Sequence, residues 1–196
     1  HHVRVISFLA IGKAGYTSKR FGLNVVRHVA EGIPIFYIRF FSLSRFGQYG
    51  FNSVSAYYAL LYAYNTVFSD FKPDIIHAHK IDFEGSIAVR LGAEMAVPVV
   101  VTTHGSDAMR PIACGESQYI KRVCDLANHV VCVSSMLLSQ LQQIGVKGNI
   151  SVIRNGCSVE NIKSAEKRAL SFIQVSNLIK QKNADITIKA FAQISA

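Results

Sequence analysis

Short apolar runs recur along this chain, and each closes on a polar or glycine-bearing tip. The clearest is Val97-Pro98-Val99-Val100-Val101-Thr102-Thr103, nearly all β-branched and without alternation, which ends in His104, Gly105, Ser106 and Asp107. Such a run marks a strand buried on both faces of a parallel sheet. Strand-like runs also cover Val3–Ala10, Ile33–Phe41, Asp74–His79, Val130–Val133 and Ser151–Ile153. Between them, helical spacing predicts helices near Phe21–Ala30, Ser53–Phe71, Glu84–Ala96, Tyr119–Ala127 and Met136–Ile144. The last has Ser134 or Ser135 as its N-cap and Gly145 at its end. Pro111 and Gly115 predict a loop after Asp107. The order reads βαβα throughout, and a doubly wound parallel sheet with right-handed crossovers is the economical fold.

In the helix at Ser53–Phe71, Tyr58, Leu61 and Tyr62 share one stripe and are expected to pack on the sheet as core. The surplus tyrosines could line an interface or a lipid-facing rim. Residues 157–170 are polar, charged and without a strand pattern, so they read as a linker. Phe172–Val175 then predicts a strand and Asp185–Ile194 a helix, and one strand with one helix cannot bury a core of their own. The expected organisation is one domain over 1–156, a linker over 157–170, and an incomplete start of a second domain over 171–196.

Composition narrows the class. An apolar content of 50% with 17% charged residues in 196 residues suits a well-buried α/β protein. Lys and Arg number 21 against 12 Asp and Glu, and residues 1–50 hold seven bases against one acid, Glu31. A positive field of that kind fits nucleic acid, an anionic membrane surface or phosphorylated small molecules. The bases are scattered singly, with no zinc-finger spacing and no aromatic RNA-binding motif, which argues against nucleic acid. Cys114, Cys124, Cys132 and Cys157 form no CxxC pair and read as reduced thiols, hence a cytoplasmic setting. The start lacks the layout of a signal peptide. His1 and His2, which a purification tag would supply, carry no argument.

The candidate chemistry sits at strand ends. Gly12 and Gly15 follow the first strand in a turn that does not fit GxGxxG, yet a glycine turn lets the backbone come close to a ligand. His77 and His79 lie on one strand face with Asp82 three residues on. They can be metal ligands, ordinary hydrogen-bonded strand-end histidines, or the lining of a cleft. His104 stands beyond the most buried strand, where an imidazole can donate to a sugar hydroxyl or a phosphate oxygen. Asp107 either contacts a ligand or caps the next helix. Asn155 and Gly156 form a turn where ligand loops stand. No G-x-S-x-G elbow supports a serine hydrolase.

Four segments in order, "KPDIIHAH" (72–79), "VPVVVTTHGSD" (97–107), "VVCVSSML" (130–137) with "VIRNG" (152–156), and "VSNLIKQKNADITIKAF" (175–191), resemble the retaining GT-B glycosyltransferases of the family 4 type. The resemblance implies two Rossmann-like domains, the N-terminal one binding a glycan or lipid-linked acceptor and the C-terminal one a nucleotide sugar. It implies His104 at the reacting centre and Gly12, Gly15, His79, Asp107 and Asn155 as substrate contacts. Asn177 and Lys182 fall where the family binds the donor phosphates, although Ser176 and Asn177 replace its usual glycine and arginine. No metal or other cofactor is implied, and the transfer serves polysaccharide assembly, with a possible peripheral site on an anionic membrane face. These residues alone are expected to be inactive, because the family's donor half is incomplete. Two other readings remain: a non-catalytic sugar- or phosphate-binding module, and a metallohydrolase built on His77, His79 and Asp82.

Overall fold

A computed structural model describes residues 2–11, 25–42, 50–157 and 172–194. The chain divides into two compact units, His1–Asn155 and Gly156–Ala196. In the first, strands β1 (Val5–Ile11), β2 (Val25–Ala30) and β3 (Ile33–Phe41) form one sheet in the order β1-β3-β2. Strands β4 (Ile76–His79), β5 (Val99–Thr103), β6 (His129–Cys132) and β7 (Ile150–Val152) form a second, in the order β4-β5-β6-β7. Every pairing of the second sheet is parallel. The helices are α1 (Phe51–Val67), α2 (Phe83–Met95), α3 (Ser106–Ala113), α4 (Ser117–Leu126) and α5 (Ser135–Gln143). This is a mixed α/β fold with a parallel, Rossmann-like segment.

The fully buried Val101 and Thr103 make β5 the centre of the parallel sheet, as its unbroken β-branched run predicts. Helix α2 lies between two cores. Its Ala88 and Val89 pack with Ala78, Val99 and Val101, while its Ile87 and Leu91 pack with Phe36, Ile38 and Phe40 of β3. Close approach to the sheet depends on Gly92, where an added Cβ would stand 2.2 Å from Val99 Cγ2 and 2.8 Å from the Val97 carbonyl oxygen. Outside the cores, the Arg4 guanidinium reaches both carboxylate oxygens of Asp70 at 3.0 and 2.7 Å and lies 4.6 Å from the Phe71 ring centre.

Four expectations change. The helix expected at Phe21–Ala30 is, over its described part, the strand β2, antiparallel to β3. Glu31 and Gly32 both have positive φ, 51° and 79°, which is the requirement of the two-residue type I′ hairpin turn. The β-branched Val25, Val26 and Val29 suit a strand, so the βαβα order does not hold throughout. The loop expected around Pro111 is helix α3; Pro111 comes late in a helix of only 8 residues and so removes little of its hydrogen bonding.

In α1 the expected stripe holds only at Leu61, which packs partly buried against the core: Tyr58 is 64% and Tyr62 54% exposed, while Ala56, Ala59, Leu60 and Ala63 are buried. Phe36, Ile38 and Phe40 of β3 already fill the space, so the helix meets them with small side chains. Tyr57 instead bonds Glu94 of α2, and burial followed by that bond pushes its hydroxyl up to about 12.

The second unit has no strand among its described residues. Phe172–Val175 forms no strand, since a lone strand leaves its backbone groups without partners. Helix α6 (Ala184–Ile194) forms as expected, preceded by a 3-10 turn at Lys180–Lys182. The Phe172 ring meets Phe191 edge-on at 5.1 Å. The linker expected at 157–170 lies, after Cys157, outside the described residues. Among the described residues no helix is long and apolar enough to cross a membrane.

Candidate functional site

Strand register brings the histidines together. His79 of β4 is directly opposite Thr102 of β5, and His104 follows two residues after Thr102, on the same sheet face. His79 Nδ1 lies 3.0 Å from His104 Nε2, and the two rings stack with centres 5.2 Å apart. His77, two residues before His79, packs against it with the rings tilted and their centres 4.6 Å apart. His77 Nε2 bonds the hydroxyl of the buried Thr102 at 2.8 Å. Burial lowers the His77 imidazole below its ordinary range, and the neighbouring charges of His79 and His104 add to that shift. Three imidazoles therefore stand in a column at the carboxyl end of the parallel sheet, where ligands of open α/β sheets bind.

The backbone that presents His104 is held from below. Asp107 is only 4% exposed. Its Oδ1 accepts from the amides of His104 (2.9 Å) and Gly105 (2.8 Å), and its Oδ2 accepts from the amide of Ile81 (2.8 Å). One carboxylate thus ties the β5–α3 turn to the segment after β4. Gly105 has φ 122°, a conformation that only glycine takes without strain. Both carboxylate oxygens of Asp107 are taken by backbone amides, so its place in the site is as a support for His104.

Beside the column a cleft of about 220 Å³ opens at the carboxyl ends of β1, β3 and β4. Ser42, Asn52, Lys80, Asp82 and Glu84 supply its polar lining. Sequence reasoning took Asp82 only as a metal ligand and missed the others. Lys80 has φ 76°, unusual for a side-chain-bearing residue and worth roughly 1–3 kcal/mol of strain. Its amide donates to the Thr102 carbonyl at 2.8 Å and its carbonyl accepts from Gly85 at 2.9 Å, which pins the turn. Lys80 Nζ lies 3.7 Å from Glu84 Oε1. Burial raises the carboxyl groups of both Asp82 and Glu84 above their ordinary range. The available signal was position: Lys80 is the first residue past the His77–His79 tip.

Asp82 does not join the histidines. Its Oδ1 accepts from the Phe83 amide at the start of α2, and among the described residues no group of three His, Cys, Asp or Glu side chains is placed to hold a metal ion. Ser134 caps α5, its hydroxyl accepting from the Leu137 amide at 3.3 Å. Asn155 is exposed after β7, which is separated from β5 by β6. Gly12 and Gly15 lie outside the described residues. Asn177 and Lys182 are exposed in the second unit, where the Lys182 carbonyl accepts from Gln174 Nε2 at 3.1 Å.

Comparison with known proteins places this geometry. The chain is 28% identical over 122 residues to an uncharacterized glycosyltransferase of Methanocaldococcus jannaschii, a match covering 62% of this chain and 34% of that protein. It thus spans about a third of the relative's length. A solved structure of sucrose-phosphate synthase from Thermosynechococcus elongatus superposes with a TM-score of 0.50 at 11% identity, covering 99% of this chain and 100% of that one. At that identity the likeness concerns the fold, which is that of a GT-B N-terminal domain. The family model for Glycosyltransferase Family 4 matches residues 1–161. With most of its length matched, and with both histidine segments and the whole parallel sheet inside the match, this chain belongs to glycosyltransferase family 4.

Proposed function

We propose that this chain is the acceptor-side part of a glycosyltransferase that moves a sugar from a nucleotide-sugar donor to a glycan or lipid-linked acceptor with retention of anomeric configuration. The observation that carries the reading is the family match over residues 1–161, within which His104 stands at the end of β5 on a backbone clamped by Asp107. In this reading His104 contacts the transferred sugar, and the acceptor enters the cleft beside Lys80, Asp82 and Glu84. Asn177 and Lys182 contact the donor diphosphate, Asn177 through a hydrogen bond and Lys182 through charge. The acceptor hydroxyl attacks on the leaving-group face, its oxygen forms the new glycosidic bond, and the departing diphosphate oxygen takes the proton. Such a step depends on stabilising leaving-group charge and calls for no metal. The uneven positive charge of residues 1–50 supports a cytoplasmic enzyme working at an anionic membrane face.

The test is release of nucleoside diphosphate by the full-length protein across a panel of nucleotide sugars and acceptors, after chelation. Transfer is expected, and His104→Ala should lower turnover by about 2 to 4 kcal/mol of transition-state stabilisation. Ligand binding with no release under any pairing would favour a sugar- or phosphate-binding module instead. Unchanged turnover in a folded His104→Ala variant would remove this residue from the reacting centre.

A further inference from the structure

The contact between His79 and His104 says more than that both residues line a site. A hydrogen bond between two imidazole nitrogens holds one proton, so one ring must donate and the other accept. Whichever ring accepts is then fixed in a single tautomer, because its remaining nitrogen must carry the proton when the ring is neutral. Since His104 Nε2 is the atom that meets His79, the nitrogen His104 has left for a ligand is Nδ1.

The setting gives His79 little freedom. Its ring meets two others, His77 tilted at 4.6 Å and His104 stacked at 5.2 Å. His77 Nε2 is engaged elsewhere, by Thr102 Oγ1. On the other side, His104 is fixed at its backbone by Asp107. His79 is thus held by its strand and its ring contacts and His104 by its clamped backbone, with a hydrogen bond running between the two rings.

We propose that His79 is the positioning residue for His104: its Nδ1–H donates to His104 Nε2 and so holds His104 in the Nδ1–H tautomer, presenting a donor to the ligand. The direction of the bond rests on the transferase reading, in which His104 contacts the transferred sugar and an N–H there donates to a sugar hydroxyl oxygen. The existence of the coupling rests on the geometry alone. The role is distinct from direct substrate contact, since the His79 nitrogen in question is spent on His104.

Long-range proton–nitrogen correlation spectra of the nitrogen-15-labelled 196-residue chain, recorded above the ordinary imidazole range, read the tautomer directly, with His104→Gln supplying the assignment. We expect His104 Nε2 to be pyridine-like and Nδ1 pyrrole-like, the reverse of the form that unconstrained histidine prefers. His79→Ala should return His104 to its Nε2–H form. His79→Asn, whose amide nitrogen stands near the position of Nδ1, should restore the Nδ1–H form. His79 is exposed, so neither variant disturbs the core. In the full-length protein His79→Ala should lower kcat on the order of tenfold with the donor KM unchanged, and His79→Asn should recover most of that loss. An Nε2–H His104 in the unaltered chain, or one tautomer common to all three proteins, overturns the proposal. The expected tautomers without sugar transfer in any protein would uphold the coupling and defeat the transferase reading.

Discussion

The two sheets of the first unit were built from the same kinds of residue, yet they behave differently. In the parallel β4–β7 sheet, a continuous β-branched run lies at the centre, helices interleave with strands, and the carboxyl ends of β4 and β5 carry polar residues that converge. In the β1-β3-β2 sheet, β2 returns antiparallel beside β3 through a two-residue turn, and apolar side chains such as Val26 and Val29 remain exposed. Among the described residues β2 is an edge strand paired with β3 alone, so its pattern is looser. The difference separates precision from tolerance: the parallel sheet holds functional atoms at fixed distances, and the mixed sheet supplies wall and core.

The strongest way to break that contrast is to remove the carboxylate that joins the parallel sheet's ends. Asp107 accepts from three backbone amides while almost wholly buried, and Asp107→Ala leaves those donors without a partner. Hydrogen bonds to a charged acceptor contribute about 1.5–3 kcal/mol each, with partial recovery by water. The expected loss is about 3 kcal/mol in urea unfolding, accompanied by loss of the His79–His104 contact. A loss below about 1 kcal/mol would mean that the turn after β5 holds itself.

What was legible follows the same division. The strands β4 to β7, α2, the Ser134 cap and the convergence of His79 with His104 all follow from local runs and from the rule that sites gather at strand ends. Three things were not legible for physical reasons. Residues Val25–Ala30 carry apolar positions that fit both periods, and the deciding feature is the positive φ of Glu31, which no composition rule assigns to glutamate. The inward face of α1 was decided by the phenylalanines of β3, a tertiary effect invisible within the helix. The cleft residues Asn52, Lys80 and Glu84 come from separate elements and share no motif.

A smaller effect tests whether the cleft beside the parallel sheet is built for ligand at the expense of stability. Burial raises the Glu84 carboxyl above the usual carboxylate range. The folded state therefore holds that proton more tightly than the unfolded chain, so the favourable contribution is full below the unfolded pKa and fades as pH rises through the folded one. Above that window the buried charge opposes folding. Glu84→Gln should flatten the fall in stability with rising pH and leave the variant more stable near neutrality, by under about 1 kcal/mol. Parallel stability–pH curves for the two proteins would refute the assignment.

The smallest effect belongs to the helix on the mixed sheet. If α1 packs through Ala56, Ala59, Leu60 and Ala63, then Tyr62 contributes little to the core, and Tyr62→Ser should change unfolding stability by less than about 0.5 kcal/mol. Ala63→Leu at the buried position should cost about 1–3 kcal/mol, because the added atoms must enter space already filled by the β3 side chains. The order of the two effects is the test. A costly Tyr62→Ser beside a harmless Ala63→Leu would restore the tyrosine stripe as the packed face and place the alanines outward. The expected order leaves Tyr58 and Tyr62 free of structural duty, so their aromatic character answers to whatever approaches the outer face of α1.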